Sequence, residues 1–316
     1  MCTGVRFTDD QGNFYFGRNL DWCEEYGQGF VITPTGAKVP SPYLGTMPLQ
    51  YPVIGVAIVV DDAPLYLDCA NNAGLSAAGL NFPGYAHFAP GPIEGTTNVA
   101  VYEFPLWLCA NFKSTAEVKE ALKTVTIVNK PINDQYPVAM LHWLVCDKEG
   151  SIVVEATKNG IEVYDNELDV LTNQPGYMWH RENVRNYLSI SNEYPQEAIT
   201  WTRANLVPFS SGSMMQGLPG AFDPASRFVR AAYLNAHYPI KEGEVANVLR
   251  LLHTLEGVAM CEGGTYMSNN KFEYTLYSDC YSMASGTYYY SSCNDLAIKQ
   301  CCINDYDLTS DKVIIC

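Results

Sequence analysis

Positive charge is scarce in this chain: 19 Lys and Arg stand against 34 Asp and Glu in 316 residues, a net charge of −15. That balance argues against nucleic acid, whose binding rests on clustered Lys and Arg. It argues equally against stable docking on an anionic membrane. An anionic small substrate stays compatible, but it would need local arginines. Long apolar runs are missing too. Val56-Ala57-Ile58-Val59-Val60 is strand-sized, far below the ~20 residues of a membrane span. The N-terminal stretch has no apolar core of a secretory signal, because Asp9, Asp10 and Arg18 interrupt it. A soluble, cytoplasmic protein is expected.

Other absences narrow the chemistry. The five histidines form no H-x-x-x-H pair. His142 and His253 read as core residues, while His87, His180 and His237 adjoin aromatic or polar turns. No G-x-S-x-G and no P-loop occurs, which disfavours serine hydrolases and nucleotide enzymes. The 11 cysteines include no C-x-x-C, and an odd count without an export signal is not a disulfide framework. Cys280, Cys293, Cys301 and Cys302 have the wrong spacing for a zinc knuckle, so free buried thiols are preferred to a metal site. No linker, low-complexity tract or repeat divides the chain, and one domain over residues 1–316 is expected.

Strand patterns dominate what is present. Residues 3–8 and 13–17 flank Asp9-Asp10-Gln11-Gly12 and read as a hairpin. Residues 52–60 and 64–68 suggest a second hairpin, 75–80 a short strand, and 141–146, 152–156 and 161–164 a meander. Ser114-Thr115-Ala116-Glu117 is a capping box that opens a helix. Helices are also predicted at 102–111, 177–187, 224–236 and 245–255, with late strands at 274–281 and 287–291. The order is strands, helices, strands, helices, strands. It points to an α+β fold of antiparallel sheets between helical layers, not to a doubly wound parallel sheet.

Met1-Cys2-Thr3-Gly4 is the most informative stretch. Cysteine is small enough for removal of the initiator methionine, which leaves a thiol and a free α-amine on one residue. An unperturbed α-amine has a pKa near ~7.7–8, so it can serve as base to its own thiol. The predicted hairpin returns Arg18 and Asp21 of Gly17-Arg18-Asn19-Leu20-Asp21-Trp22 towards Cys2. A guanidinium there favours thiolate, and a carboxylate can orient the amine. The plainer alternative is a surface ion pair between Arg18 and Asp21. Asn81 and Asn173 stand at strand ends, where their amides either donate to an oxyanion or cap turns before proline. Arg227 and Arg230 share a helix face; one of them meets a substrate anion or, more simply, a buried carboxylate.

These motifs carry a resemblance. Met1-Cys2-Thr3-Gly4, Phe16-Gly17-Arg18-Asn19-Leu20-Asp21, Ala78-Gly79-Leu80-Asn81-Phe82-Pro83, Val170-Leu171-Thr172-Asn173-Gln174-Pro175 and Pro224-Ala225-Ser226-Arg227-Phe228 closely resemble the choloylglycine hydrolase family, in order over nearly the whole chain. The resemblance implies a four-layer αββα N-terminal nucleophile hydrolase fold and a Cys2 nucleophile. It further implies that Arg18 favours the thiolate, Asp21 holds the amine, Asn81 donates to the oxyanion, Asn173 positions the amine and Arg227 supports the network. It implies no cofactor, conjugated bile salts as substrates, and a homotetramer. By the same analogy Leu20, Tyr26, Val60, Leu67, Ile132, Tyr136 and Leu141 line the steroid pocket. The penicillin V acylase branch tends to carry an aromatic residue in place of Asn81, which favours the bile salt branch. Glu24 and Glu25 in the loop after Trp22 depart from the family pattern. A reading of another class remains: a binding or redox protein in which Cys2 is one free thiol among several.

Overall fold

Asp9 shapes the first hairpin. Its carboxylate accepts from the Gln11 N–H at 3.0 Å and the Asn13 N–H at 2.8 Å, and Gly12 supplies a φ of +81°. The strands that it joins, β1 (Cys2–Thr8) and β2 (Phe14–Trp22), pair Cys2 with Leu20 and Gly4 with Arg18. The computed structural model describes residues 1–267 and 270–316.

Two large antiparallel sheets follow. In chain order their further strands are β3 (Gly29–Thr33), β4 (Val53–Val60), β5 (Ala63–Asn71), β6 (Ser76–Asn81) and β7 (Leu141–Cys146). Then come β8 (Ser151–Thr157), β9 (Gly160–Asp165), β10 (Val170–Leu171), β11 (Tyr274–Ser282), β12 (Thr287–Ser292), β13 (Asp295–Cys302) and β14 (Ile314–Ile315). One sheet runs β10-β1-β2-β11-β12-β13 and the other β9-β8-β7-β6-β5-β4-β3-β14. Helices α1 (Phe104–Asn111) and α2 (Thr115–Ala121) pack on the second sheet, while α3 (Tyr177–Val184), α4 (Pro224–His237) and α5 (Glu244–Glu256) cover the first. The layers are therefore helix, sheet, sheet, helix, as expected for an N-terminal nucleophile hydrolase.

Both faces of β1 and β2 are covered, so these strands are buried along nearly their whole length. Every polar side chain on them must then find a partner. The sheets approach closely beneath the site: a Cβ on Gly4 would lie 2.9 Å from Leu144 Cδ2. Among the described residues no helix is long and apolar enough to cross a membrane.

The predicted helices form, with 3-10 turns at Val101–Glu103 before α1 and Arg185–Tyr187 after α3. Ser114 Oγ accepts from the Glu117 N–H at 3.2 Å, the cap that its motif predicts. Several strands form where the sequence analysis predicts none. β13 is exposed along most of its length, and Ile199–Trp201 and Ala204–Leu206 pair as a wholly exposed hairpin. Thr97–Ala100 and Val125–Val128 form a small parallel pair beside the antiparallel sheets.

Candidate active site

Strand alternation separates the two charged residues predicted to meet Cys2. Arg18 and Asp21 are three residues apart on β2 and point to opposite faces. Arg18 points between the sheets. Its Nη2 donates to Cys2 Sγ at 2.6 Å, and its Nη1 donates to the carbonyls of Leu67 at 3.0 Å and Gly79 at 2.8 Å. Both Arg18 and Asp21 are fully buried, so the surface ion pair between them does not form. Burial alone would lower the Arg18 pKa, but the acidic groups packed around it, Cys2 first, more than offset it. The guanidinium is a fixed cation on the thiol.

Asp21 faces the helical layer. Its Oδ1 accepts from Thr275 Oγ1 at 2.6 Å, while Oδ2 lies 3.6 Å from Arg227 Nη1 and has no hydrogen-bond donor. Arg227 stands in the first turn of α4, which Asp223 caps and Pro224 opens. It is fully buried and donates to Cys2 O at 2.6 Å, Thr3 Oγ1 at 2.7 Å and Asn173 Oδ1 at 2.7 Å. Arg230 instead donates to the carbonyls of Gly257, Pro219 and Ala221. Of the two alternatives for this helix face, the buried carboxylate is the one realised.

Asn173 follows β10 and precedes a cis Gln174–Pro175 bond. Its Oδ1 accepts from the Cys2 N–H at 2.8 Å as well as from Arg227, and its Nδ2 donates to Asn81 O at 2.7 Å. Three bonds fix the direction of the amide. The Asn81 side chain has no such tie and lines the cavity over Cys2. The Met1 ammonium pairs with Glu273 and donates to Asp21 O at 2.5 Å.

Two histidines that read as core or turn residues hold the Asn173 loop from behind. His180 Nε2 donates to Asn173 O and His142 Nε2 to Thr172 O, each at 2.9 Å. Glu155 reaches His142 Nδ1 at 3.3 Å and accepts from the Tyr177 N–H at 2.8 Å. Burial pushes His180 down to about 4, so near pH 7 it is a neutral donor. No local motif marks these groups or Thr275; only the tertiary fold brings them together.

A cavity of about 830 Å³ opens over Cys2. Leu20, Tyr26, Leu67, Ile132, Tyr136 and Leu141 line it, with Ile58, Leu65 and Met140 besides. Val60 is the exception among the pocket residues expected. It sits at the β4–β5 hairpin tip, paired with Ala63 and two residues beyond Ile58, and is not in the lining. Two residues along a strand span about 6.6 Å, enough to carry its side chain past the wall. Burial pushes the Tyr26 hydroxyl up to about 12, so it faces the cavity uncharged. Glu24 pairs with Lys271 and Glu25 accepts from Asn294 Nδ2 at 2.8 Å. Among the described lining residues Arg18 is the one arginine, and its donors are committed; Lys130 is the cation left at the rim.

Residues 2–316 match the family described as linear amide C–N hydrolases, choloylglycine hydrolase family. A bile salt hydrolase/transferase of Bifidobacterium longum is 48% identical over 315 residues, covering 99% of each chain. A conjugated bile acid hydrolase of Lactobacillus gasseri is 46% identical over 315 residues, again covering 99% of each. The solved structure of a mutant conjugated bile acid hydrolase from Clostridium perfringens has a TM-score of 0.93 and 35% identity, covering 100% of this chain and 96% of that one. A guanidinium on a buried second-position thiol, in a helix–sheet–sheet–helix fold matched over this length, leaves one assignment: the chain belongs to the choloylglycine hydrolase family of linear amide C–N hydrolases.

Proposed function

We propose that this chain, as one catalytic unit over residues 1–316, hydrolyses the amide joining a bile acid to glycine or taurine. The observation that carries the reading is the 2.6 Å contact between Arg18 Nη2 and Cys2 Sγ at the floor of a largely apolar cavity. A steroid face suits that wall, because apolar burial supplies its affinity. The named relatives support the substrate class.

The reaction begins once Met1 has been removed. The free α-amine takes the thiol proton, and Cys2 Sγ attacks the amide carbon. Asn81 donates its side-chain amide to the oxyanion that develops. The amine proton then passes to the leaving nitrogen, the C–N bond breaks, and glycine or taurine departs. A water deprotonated by the same amine attacks the thioester and releases the bile acid. Asn173 Oδ1 already holds the Cys2 nitrogen, and the freed ammonium supplies the donor that Asp21 Oδ2 lacks. Arg227 braces both through Cys2 O and Asn173.

The test is hydrolysis of glycocholate, taurocholate and penicillin V by the wild type and by Cys2→Ser. We expect rapid cleavage of the bile salts, slow cleavage of penicillin V, and a loss of several orders of magnitude in Cys2→Ser with the fold retained. Intact mass of the active fraction should lack Met1. Full activity in Cys2→Ser, or in chains that all carry Met1, would sink the reading.

We further propose a cytoplasmic homotetramer. All 11 cysteines are free thiols, which suits a reducing compartment. Around the exposed hairpin Ile199, Trp201, Leu206, Val207 and Phe209 present apolar side chains to solvent, the composition of a self-association surface. Sedimentation of the wild type and of Trp201→Glu checks the assembly, and a monomeric wild type would refute it.

A further inference from the structure

Directly behind Arg18, two carboxyl groups lie fully buried where the sheets face each other. Asp68 comes from β5 and Asp279 from β11. They are within hydrogen-bond reach of each other. Asp68 Oδ2 accepts from Tyr277 Oη at 2.7 Å, and Asp279 Oδ1 accepts from the Arg18 N–H at 2.8 Å. Each carboxyl has one oxygen left, Asp68 Oδ1 and Asp279 Oδ2; neither accepts a well-formed hydrogen bond, and the Tyr288 hydroxyl, itself without a partner, stands beside Asp68. Two buried carboxylate oxygens without donors are costly apart, but one proton between them satisfies both.

We propose that Asp68 and Asp279 hold a single proton between them and act as positioning residues, fixing Arg18 on Cys2 and keeping the counter-charge behind its guanidinium at one. The inference rests on the reading of Cys2 as the nucleophile. Three observations support it.

The first is the strand pairing. β2 and β11 pair Asn19 with Ser278 and Phe16 with Tyr281. Between those pairs the Asp279 side chain, not a backbone carbonyl, takes the Arg18 N–H. Gly17 permits this approach, since a Cβ there would lie 2.1 Å from Asp279 O. Asp279 thus anchors the Arg18 main chain.

The second is the connection to the guanidinium. Arg18 Nη1 donates to the carbonyl of Leu67, the neighbour of Asp68, so the peptide that grips the guanidinium adjoins the pair.

The third is charge. Arg18 is the one cation facing the pair among the described residues. The other titratable neighbours are Tyr277 and Cys280 on β11, Tyr288 and Tyr290 on β12, and Cys69 on β5. Burial raises all five above their ordinary values, so near pH 7 they are neutral. Burial also raises both carboxyls, Asp279 further through its neighbour Asp68. A second full charge here would face one guanidinium already shared with the Cys2 sulfur. A mutual proton removes that conflict.

The experiment follows the pH dependence of Cys2 alkylation by iodoacetamide, read by peptide mass in wild type, Asp68→Asn, Asp279→Asn and the double variant. Each single Asn keeps the pair at one negative charge and replaces the shared proton by an amide donor. The Cys2 midpoint should therefore stay near the wild-type value in both. The double variant removes that charge and should lower the midpoint by about one pH unit. In the infrared the wild type should show the carbonyl stretch of a protonated carboxyl at neutral pH, lost in either single variant. That measurement stands even if the double variant fails to fold. A drop of a unit in a single variant would show two ionised carboxylates. An unmoved double variant would show a pair without influence on the site, and a missing infrared band would show no proton. Each of these overturns the proposal. A wild-type Cys2 that alkylates no faster than Cys261 would instead overturn the nucleophile reading.

Discussion

Cys2 Sγ and Asn173 Oδ1 mark the two ends of one residue's chemistry, and different arginines hold them. Arg18 grips the sulfur from between the sheets, and Arg227 grips the Asn173 oxygen that receives the Cys2 nitrogen. Cys2 bridges both faces of its sheet. That division explains why two buried arginines are needed in a chain otherwise poor in positive charge.

Arg18→Lys tests whether the fork matters or only the charge. Lysine is a point charge and cannot serve Cys2 Sγ, Leu67 O and Gly79 O in one plane. We expect kcat/KM on glycocholate to fall at least ~100-fold, which is about 2.7 kcal/mol. The alkylation midpoint of Cys2 should rise. Wild-type rates in Arg18→Lys would show that charge alone suffices.

The half of the site on β1 and β2 was readable in the sequence, because a tight turn at Asp9–Gly12 fixes the register by short-range rules. The directions of the side chains were not. Arg18 meets Leu67 and Gly79, and Asp21 meets Thr275 and Arg227, all through distant contacts that no local spacing encodes. The exposed hairpin at 199–206 is illegible for a different reason. Ile199-Thr200-Trp201 and Ala204-Asn205-Leu206 do alternate apolar and polar residues, but three residues are too few for the alternation to mark a strand. Val60 was misplaced because family analogy supplies a position but not the length of strand between the hairpin tip and the cavity wall.

His180 should leave a signature in stability against pH. Its folded pKa is lowered to about 4 from 6.5, so between those values the unfolded chain binds the extra proton. The contribution is fully present above pH 6.5 and is lost as the pH falls towards 4, amounting to about 3 kcal/mol. Urea unfolding of wild type and His180→Gln at several pH values isolates it. The variant should be the less stable at neutral pH, and the gap should narrow as the solution is acidified. A gap independent of pH would contradict a buried neutral histidine.

The substrate tail poses an electrostatic problem, since a net charge of −15 repels an anion and the lining arginine is committed to Cys2. Affinity must then rest on apolar walls. Ile132 and Leu141 are half-buried in the lining, and truncating either to alanine removes roughly 1–3 kcal/mol of apolar burial. KM for glycocholate should rise in each variant by more than kcat falls, because a wall contact made equally in ground and transition states affects binding alone. Added salt should leave kcat/KM unchanged or raise it modestly by screening the long-range repulsion. A steep fall with salt would assign the steering to a cation at the rim. Lys130→Gln would then abolish that salt dependence, and the steroid-dominated account of binding would have to be given up.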